Sequence, residues 1–139
     1  MVFYGNMNET MMNTHADVKI IIVDDDPDIS EFVQRTVEAA GFSAVRTADG
    51  RECLDILDET NAVCIISDIV MPEMDGVELF NQLSQRADKI PLILMSGYEG
   101  KYLVNTAMLA SARGLTVLGA LEKGFSASDL IDVLSKLDR

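Results

Sequence analysis

The amino-acid sequence predicts an α/β domain of the (βα)5 type, with a five-stranded parallel sheet and helices on both faces. Short apolar runs rich in Ile and Val have the length and composition of buried parallel strands. Segments with helical spacing of apolar residues alternate with these runs five times, which is typical of βαβ units. The chain has 139 residues and is 48% hydrophobic, so it suits one domain with one core.

The first two strands and the helix between them are marked by clear start and stop signals. Strand one is predicted from Val18 to Asp24. A helix follows because Asp26 is a favoured N-cap and Pro27 suits the first helical turn. Gly41 is a natural helix end, and strand two is predicted over 42–47.

The later elements follow from the same signals. Acidic residues or serine cap the helices, and apolar runs between them form the strands. The predicted elements are helix two after Asp49 and Glu52, strand three over 62–67, helix three after Asp75, strand four over 91–95, helix four over about 101–113, strand five over 115–121, and helix five after a capping box of Ser126 and Asp129.

Composition excludes several classes of partner. Eleven basic and 23 acidic residues give a net charge of −12, which argues against direct binding of nucleic acid or an anionic membrane surface. No apolar run approaches the ~20 residues of a membrane span. Cys53 and Cys64 lack disulfide or zinc spacing, so we expect a cytoplasmic protein. We expect a flexible leader over 1–16, which is not a signal peptide, and one domain over 17–139.

Acidic residues follow two of the predicted strands. Asp24, Asp25 and Asp26 come after strand one, and Asp68 comes after strand three. Parallel strands bring their carboxyl ends to one edge, where open α/β sheets bind ligands. Clustered carboxylates repel one another and need a cation, and an all-oxygen cluster suits Mg²⁺ or Mn²⁺. The sequence therefore predicts a divalent-metal site that handles phosphate.

A hydroxyl and a lysine follow the next two strands. Ser96 comes after strand four and Lys123 after strand five. Together with acids that hold a metal, these groups can position a phosphoryl group and neutralise its oxygens. A carboxylate can itself accept a phosphoryl group.

These motifs, in this order, resemble the receiver domain of two-component response regulators. The resemblance rests on the segments VDDDP at 23–27, SDIVMPEMDG at 67–76, SG at 96–97, and Lys123, and it covers about residues 18–138. It implies a flavodoxin-like, doubly wound sheet with strand order 2-1-3-4-5. It also implies a signalling module that assists its own phosphorylation and dephosphorylation, rather than an enzyme with a separate substrate.

The resemblance assigns roles residue by residue. Asp68 is the implied phosphoacceptor, and Mg²⁺ is bound directly by Asp25 and Asp68 and through water by Asp24. The backbone carbonyl of Val70 adds another ligand. Lys123 is expected to neutralise the phosphoryl oxygens and Ser96 to hydrogen-bond them. The implied loop-shaping residues are Pro72, Gly76, Gly97 and Gly124.

The chain departs from the family pattern at several positions. Gly124 follows the lysine where receivers usually have a cis proline. We predict a trans Lys123–Gly124 bond, or a mixture of cis and trans, and a looser loop, because cis bonds are essentially confined to proline. Ala120 replaces the switch aromatic, so we expect helix four to move instead. Val70 and Tyr98 cannot orient a water molecule, which predicts slow self-dephosphorylation.

The resemblance implies a histidine kinase or histidine phosphotransfer protein as phosphodonor, and self-association through helix four, strand five and helix five. Two other functions stay open. A Mg²⁺-dependent phosphatase of the haloacid-dehalogenase type would use Asp24 as nucleophile in its Asp-x-Asp pattern. A degenerate receiver would bind partners without phosphorylation, as the changes at Ala120 and Gly124 would allow.

Overall fold

The computed structural model describes residues 18–69, 76–86, 88–97 and 100–137. Strands and helices alternate through these residues. They are β1 (Lys19–Val23), α1 (Pro27–Ala39), β2 (Ser43–Thr47), α2 (Gly50–Leu57), β3 (Ala62–Asp68), α3 (Gly76–Ser84), β4 (Leu92–Ser96), α4 (Gly100–Ala112), β5 (Val117–Glu122) and α5 (Ala127–Leu134). The expectations for the leader, Val70, Pro72, Asp75 and Tyr98 lie outside the described residues.

The strands form one parallel sheet in the order β2-β1-β3-β4-β5. This confirms the predicted doubly wound fold. The last residue of β1, Val23, pairs with Thr47 of β2 on one side and with Ser67 of β3 on the other. All carboxyl ends therefore lie along one rim of the sheet, with β1 and β3 at its centre.

Each face of the sheet has its own hydrophobic core. Residues Ile21 and Val23 of β1 face α2, α3 and α4, whose buried side chains include Phe80. Residues Ile20 and Ile22 face α1 and α5. Alternate side chains of one strand thus enter opposite cores, as the pleat requires, and burial on both faces explains the near-continuous apolar sequence of the strand.

The predicted helix starts are mostly confirmed. Asp26 caps α1 and accepts hydrogen bonds from the N–H groups of Asp28 and Ile29. The capping box of Ser126 and Asp129 is present at α5. At α2 the pairing differs by one residue, because Glu52 accepts from the Ala48 N–H rather than from the N-cap itself. The sequence signals therefore place these helix starts correctly.

Four strands begin one or two residues later than predicted, and for β2 and β5 the physical reason is the same. Helices α1 and α4 both end in a Schellman motif, with Gly41 and Gly114 at positive φ. The N–H of Phe42 donates to Val37 O, and the N–H of Leu115 donates to Ala110 O. These residues close the preceding helix, so β2 begins at Ser43 and β5 at Val117.

The packing of α5 on β5 is unusually close at Gly119. A β-carbon at this position would lie 2.7 Å from Cγ1 and 2.9 Å from Cγ2 of Val133. Valine is restricted about χ1 and has little freedom to move aside. Glycine at position 119 therefore sets the distance between the strand that leads to Lys123 and the helix that follows it.

Cys53 and Cys64 are buried free thiols. Burial raises the pKa of each to about 12, so both are protonated core side chains near neutral pH. Across the described ranges, no helix combines the length and apolar character that crossing a membrane requires.

Candidate functional site

Strands β1 and β3 deliver three carboxylates to the centre of the rim. Asp24 and Asp25 follow β1 directly, and Asp68 is the last residue of β3. Asp24 and Asp68 are 3% and 5% exposed, whereas Asp25 is exposed. One carboxylate oxygen from each of the three residues lies within 4.8 Å of the others. The structure therefore brings together three of the acids that the sequence singled out, and it assigns the fourth, Asp26, to helix capping.

The loop after β1 is fixed by its own hydrogen bonds. The Asp26 N–H donates to Asp24 Oδ1 at 2.8 Å. The Asp24 N–H donates to Thr47 O at 3.1 Å, and the buried Thr47 hydroxyl donates to Ile22 O at 2.8 Å. The Asp24 carboxylate is thus held by the Asp26 N–H, and the Asp24 backbone is held by β2.

Lys123 places a positive charge among these acids from the end of β5. Its Nζ lies 2.9 Å from Asp68 Oδ2 and 3.0 Å from Asp24 Oδ2. Its backbone N–H donates to Ser96 O at 2.8 Å, which ties the lysine segment to the end of β4. A single ammonium group therefore bridges the two buried carboxylates.

The pKa shifts follow from this arrangement. Burial raises the pKa of Asp24, and the hydrogen bond from Asp26 and the nearby Lys123 ammonium only partly offset it. For Lys123, burial acts to lower the pKa, but the hydrogen bond to Asp68 and the ion pair with Asp24 outweigh it and raise the pKa above its ordinary value. The lysine is therefore charged, and the site carries more negative charge than one lysine compensates.

The donor set fits a hard divalent cation. Asp24 Oδ2 is buried and, among the residues that the structure describes, no donor meets it with the direction that a hydrogen bond requires. An oxygen of this kind, beside two further carboxylates, is a ligand that Mg²⁺ or Mn²⁺ prefers. The expected fourth ligand, the Val70 carbonyl, lies outside the described residues.

The structure also places four other residues that the sequence singled out. Ser96 is the buried last residue of β4, and Gly97 follows it beside the Lys123 side chain. Gly76 is the first residue of α3. The Lys123–Gly124 bond is trans, as predicted, and Gly124 has a φ of 103°, a conformation that favours glycine.

Sequence reasoning missed two sets of contacts beside the site. Arg46 of β2 donates from its guanidinium to Pro27 O, the Ser30 hydroxyl and Gln34 Oε1, which pins the start of α1 to the sheet. An isolated arginine in a strand gives no sequence signal for this clamp.

The second missed contact joins the loop after β5 to α1. The Phe125 ring packs against that of Phe32, with centroids 5.7 Å apart. The sequence signal covers only a neighbouring contact, because Phe125 and Leu130 occupy the N′ and N4 positions around the Ser126 cap, where apolar pairs form a hydrophobic staple. It does not point to Phe32.

Comparison with known proteins agrees with this geometry. A family model for the response regulator receiver domain matches residues 20–135. The regulator DctD of Pseudomonas aeruginosa, named a C4-dicarboxylate transport transcriptional regulatory protein, is 30% identical over 117 residues, 84% of this chain and 24% of DctD. Response regulator MprA of Mycolicibacterium vanbaalenii is 33% identical over 79 residues, 57% of this chain and 34% of MprA. The chain thus spans between 24% and 34% of the length of these relatives.

Solved structures give the same result. The chemotaxis response regulator CheY4 of Vibrio cholerae superposes with a TM-score of 0.74 at 27% identity, covering 86% of this chain and 97% of CheY4. The signal receiver domain of a signal transduction histidine kinase from Syntrophus aciditrophicus gives a TM-score of 0.72 at 28% identity, covering 88% of this chain and 93% of that domain. The fold, the acidic rim and these matches have one explanation: the chain belongs to the response regulator receiver domain family.

Proposed function

We propose that this domain is a phosphoacceptor switch in which Asp68 accepts a phosphoryl group with the help of Mg²⁺ or Mn²⁺. The observation that carries the proposal is the Lys123 ammonium, which bridges Asp68 and Asp24 at 2.9 and 3.0 Å. A fixed cation beside a buried carboxylate is what stabilises charge on a transferring phosphoryl group. The rim carries negative charge in excess of that lysine, which supports a metal requirement.

Asp25 and Asp68 would hold the metal directly and Asp24 would hold it through water. When bound, the metal supplies the charge that offsets the phosphoryl oxygens. The donor is a phosphohistidine of a histidine kinase or a histidine phosphotransfer protein. An Asp68 carboxylate oxygen attacks phosphorus, the P–N bond breaks, and the imidazole leaves with its electron pair and takes up a proton. The product is an aspartyl phosphate.

The residues around Asp68 then respond to the new charge. Lys123 transfers its contacts from the Asp68 carboxylate to the phosphoryl oxygens. The Ser96 hydroxyl, at the end of β4, donates to a phosphoryl oxygen. These local changes would bias the domain between two conformations, without turnover of a separate substrate.

The label position separates this proposal from its alternatives. The domain is incubated with Mg²⁺ and ³²P-labelled acetyl phosphate, and incorporation of label is measured. In a parallel sample, borohydride reduces the acyl phosphate to homoserine with release of phosphate, and the peptide that contains homoserine is mapped. We expect modification of Asp68, and loss of all label in Asp68→Asn. Asp28→Asn, which changes an exposed acid on α1, serves as the control and should label normally. Modification of Asp24 would favour the phosphatase, and absence of label would favour a degenerate receiver.

We also propose that α4 and β5 form the surface for self-association. A groove of about 630 Å³ lies between them. Val104 and Met108 beside it are 54% and 66% exposed, and α4 contains no acidic residue in a chain of net charge −12. Two acidic copies would meet there with the least repulsion. The groove is lined by Val104, Ala107, Met108, Ser111, Ala112, Val117 and Ala120.

Sedimentation with Mg²⁺ and beryllium fluoride, which mimics the phosphoryl group, tests this surface. We expect dimers of the wild type and monomers of Met108→Glu. Equal association of both variants would exclude the α4–β5 groove as the interface.

The negative net charge is our reason for proposing that this domain does not itself bind nucleic acid or membrane, although DctD is named a transcriptional regulatory protein. The cytoplasmic location, the leader over 1–16, the domain over 17–139 and the slow dephosphorylation remain predictions.

A further inference from the structure

We propose that Phe125, through its packing on Phe32 of α1, is the positioning residue that holds Lys123 at the acidic rim. This inference rests on the proposed role of Lys123 at the phosphoryl group. It gives a role to a contact that the phosphorylation chemistry above does not use.

The loop after β5 has little stiffness of its own. Gly124 follows the lysine directly, and its φ of 103° lies in a region that only glycine enters readily. A glycine restricts its neighbours less than any other residue. The position of Lys123 must therefore be fixed by contacts on either side of Gly124.

One anchor lies before the glycine. The Lys123 N–H donates to Ser96 O at 2.8 Å, which continues the pairing of β4 and β5 by one residue. This hydrogen bond fixes the backbone of Lys123 on the side before Gly124. It does not restrict rotation about the backbone bonds of Gly124.

The second anchor lies after the glycine. The Phe125 N–H donates to Glu122 O at 3.1 Å and closes the turn. Its ring meets that of Phe32 at 5.7 Å with the planes inclined by 51°, within the range of favourable aromatic pairs. Phe125 also packs against the core cluster that contains Leu130, as the staple position predicts.

The lysine side chain reaches the acids along a path that these anchors define. Its Cδ passes beside Gly97, where a β-carbon would lie 3.7 Å away. Loss of the Phe125 ring removes the contact between this turn and α1, so the turn becomes more mobile. The Lys123 ammonium then spends less time between Asp24 and Asp68. Small displacements of a positioned charged group lower reaction rates strongly.

The first test compares rates of phosphorylation by phosphoramidate at saturating Mg²⁺. We expect Phe125→Ala and Phe32→Ala each to lower the rate about tenfold, with Mg²⁺ affinity unchanged within twofold. Phe125→Tyr keeps the ring and should restore the rate. Ile131→Ala is the control, because Ile131 is an exposed apolar residue of α5 outside this contact.

A double-mutant cycle shows whether the effect passes through Lys123. In the Lys123→Met background, Phe125→Ala should slow phosphorylation no further. Wild-type rates in Phe125→Ala, or a full tenfold effect without the lysine, would overturn the proposal.

A readout without phosphorylation separates this inference from the proposed function. In metal-free protein, the nuclear Overhauser effect between the Lys123 δ-methylene and the Gly97 α-protons should weaken in Phe125→Ala and persist in Ile131→Ala. If the wild type accepts no label, the proposed function fails, and this signal still decides whether Phe125 positions the lysine. An unchanged signal in Phe125→Ala would refute the positioning role.

Discussion

The loop after β1 and the loop after β5 bring opposite charges to the same rim, but they are held in different ways. In the first loop, Asp24 Oδ1 accepts from the Asp26 N–H and Asp26 Oδ1 accepts from the Asp28 N–H. In the second, Lys123 is held by carboxylates of distant strands and Phe125 by α1. The acidic side chains of the first loop accept hydrogen bonds from their neighbours in sequence, whereas the side chains of the second loop are held by residues of distant elements.

Among substitutions in the two loops, replacement of Lys123 by methionine should have the largest effect on the rate of phosphorylation. Lys123→Met keeps the length of the side chain and removes the charge, so we expect phosphorylation by phosphoramidate to fall about 100-fold. Stability at neutral pH should also fall, because the buried carboxylates of Asp68 and Asp24 lose the cation that they share. Lys89→Met, which removes an exposed lysine outside the rim, is the control. Near-normal labelling of Lys123→Met would mean that the lysine does not act on the phosphoryl group.

The difference between the loops also explains what could be predicted from the sequence. The Asp26 cap, the Pro27 helix start and the strand pattern involve residues that are close in sequence. The fold and the acids of the rim could therefore be predicted from them. The Schellman ends at Phe42 and Leu115 were missed because an apolar residue after glycine suits a helix end and a strand start equally. The Arg46 clamp and the Phe32 contact need the tertiary structure, since nothing near them in the chain requires either partner.

Gly119→Ala tests how far the second loop depends on the packing of α5. A β-carbon at 2.7 Å from Val133 Cγ1 must push α5 away from β5, and overpacking of this kind costs about 2 kcal/mol of unfolding free energy. Urea denaturation measures the loss. Val133→Ala removes both clashing methyl groups, so the double mutant should lose less stability than the two single mutants combined. Additive losses would show that the close approach is not the cause.

Asp24→Asn tests whether the buried negative charge of Asp24 destabilises the metal-free domain. The pKa of Asp24 is raised by burial, so the ionised carboxylate destabilises the metal-free fold, and that cost appears as pH rises through the raised pKa. We expect Asp24→Asn to stabilise the metal-free domain at pH 7.5, because the buried charge is removed.

The gain should shrink as pH falls and the wild-type carboxyl becomes protonated. Asp55→Asn, which changes an exposed acid of α2, should show little effect at either pH. A gain from Asp24→Asn that does not vary with pH would rule out burial of charge as its origin.

Gly124→Ala tests whether the second loop needs glycine for its backbone conformation. Gly124 has a φ of 103° with open space where a β-carbon would lie, so any penalty comes from the backbone and not from a clash. We expect a loss of about 1 kcal/mol in unfolding free energy and slower phosphorylation, because the turn that carries Lys123 must change its shape. Gly97→Ala is the matched control, since a β-carbon there meets Lys123 Cδ only at an ordinary contact distance of 3.7 Å. Equal stability losses at both glycines would show that the backbone conformation of Gly124 is not the cause of its loss.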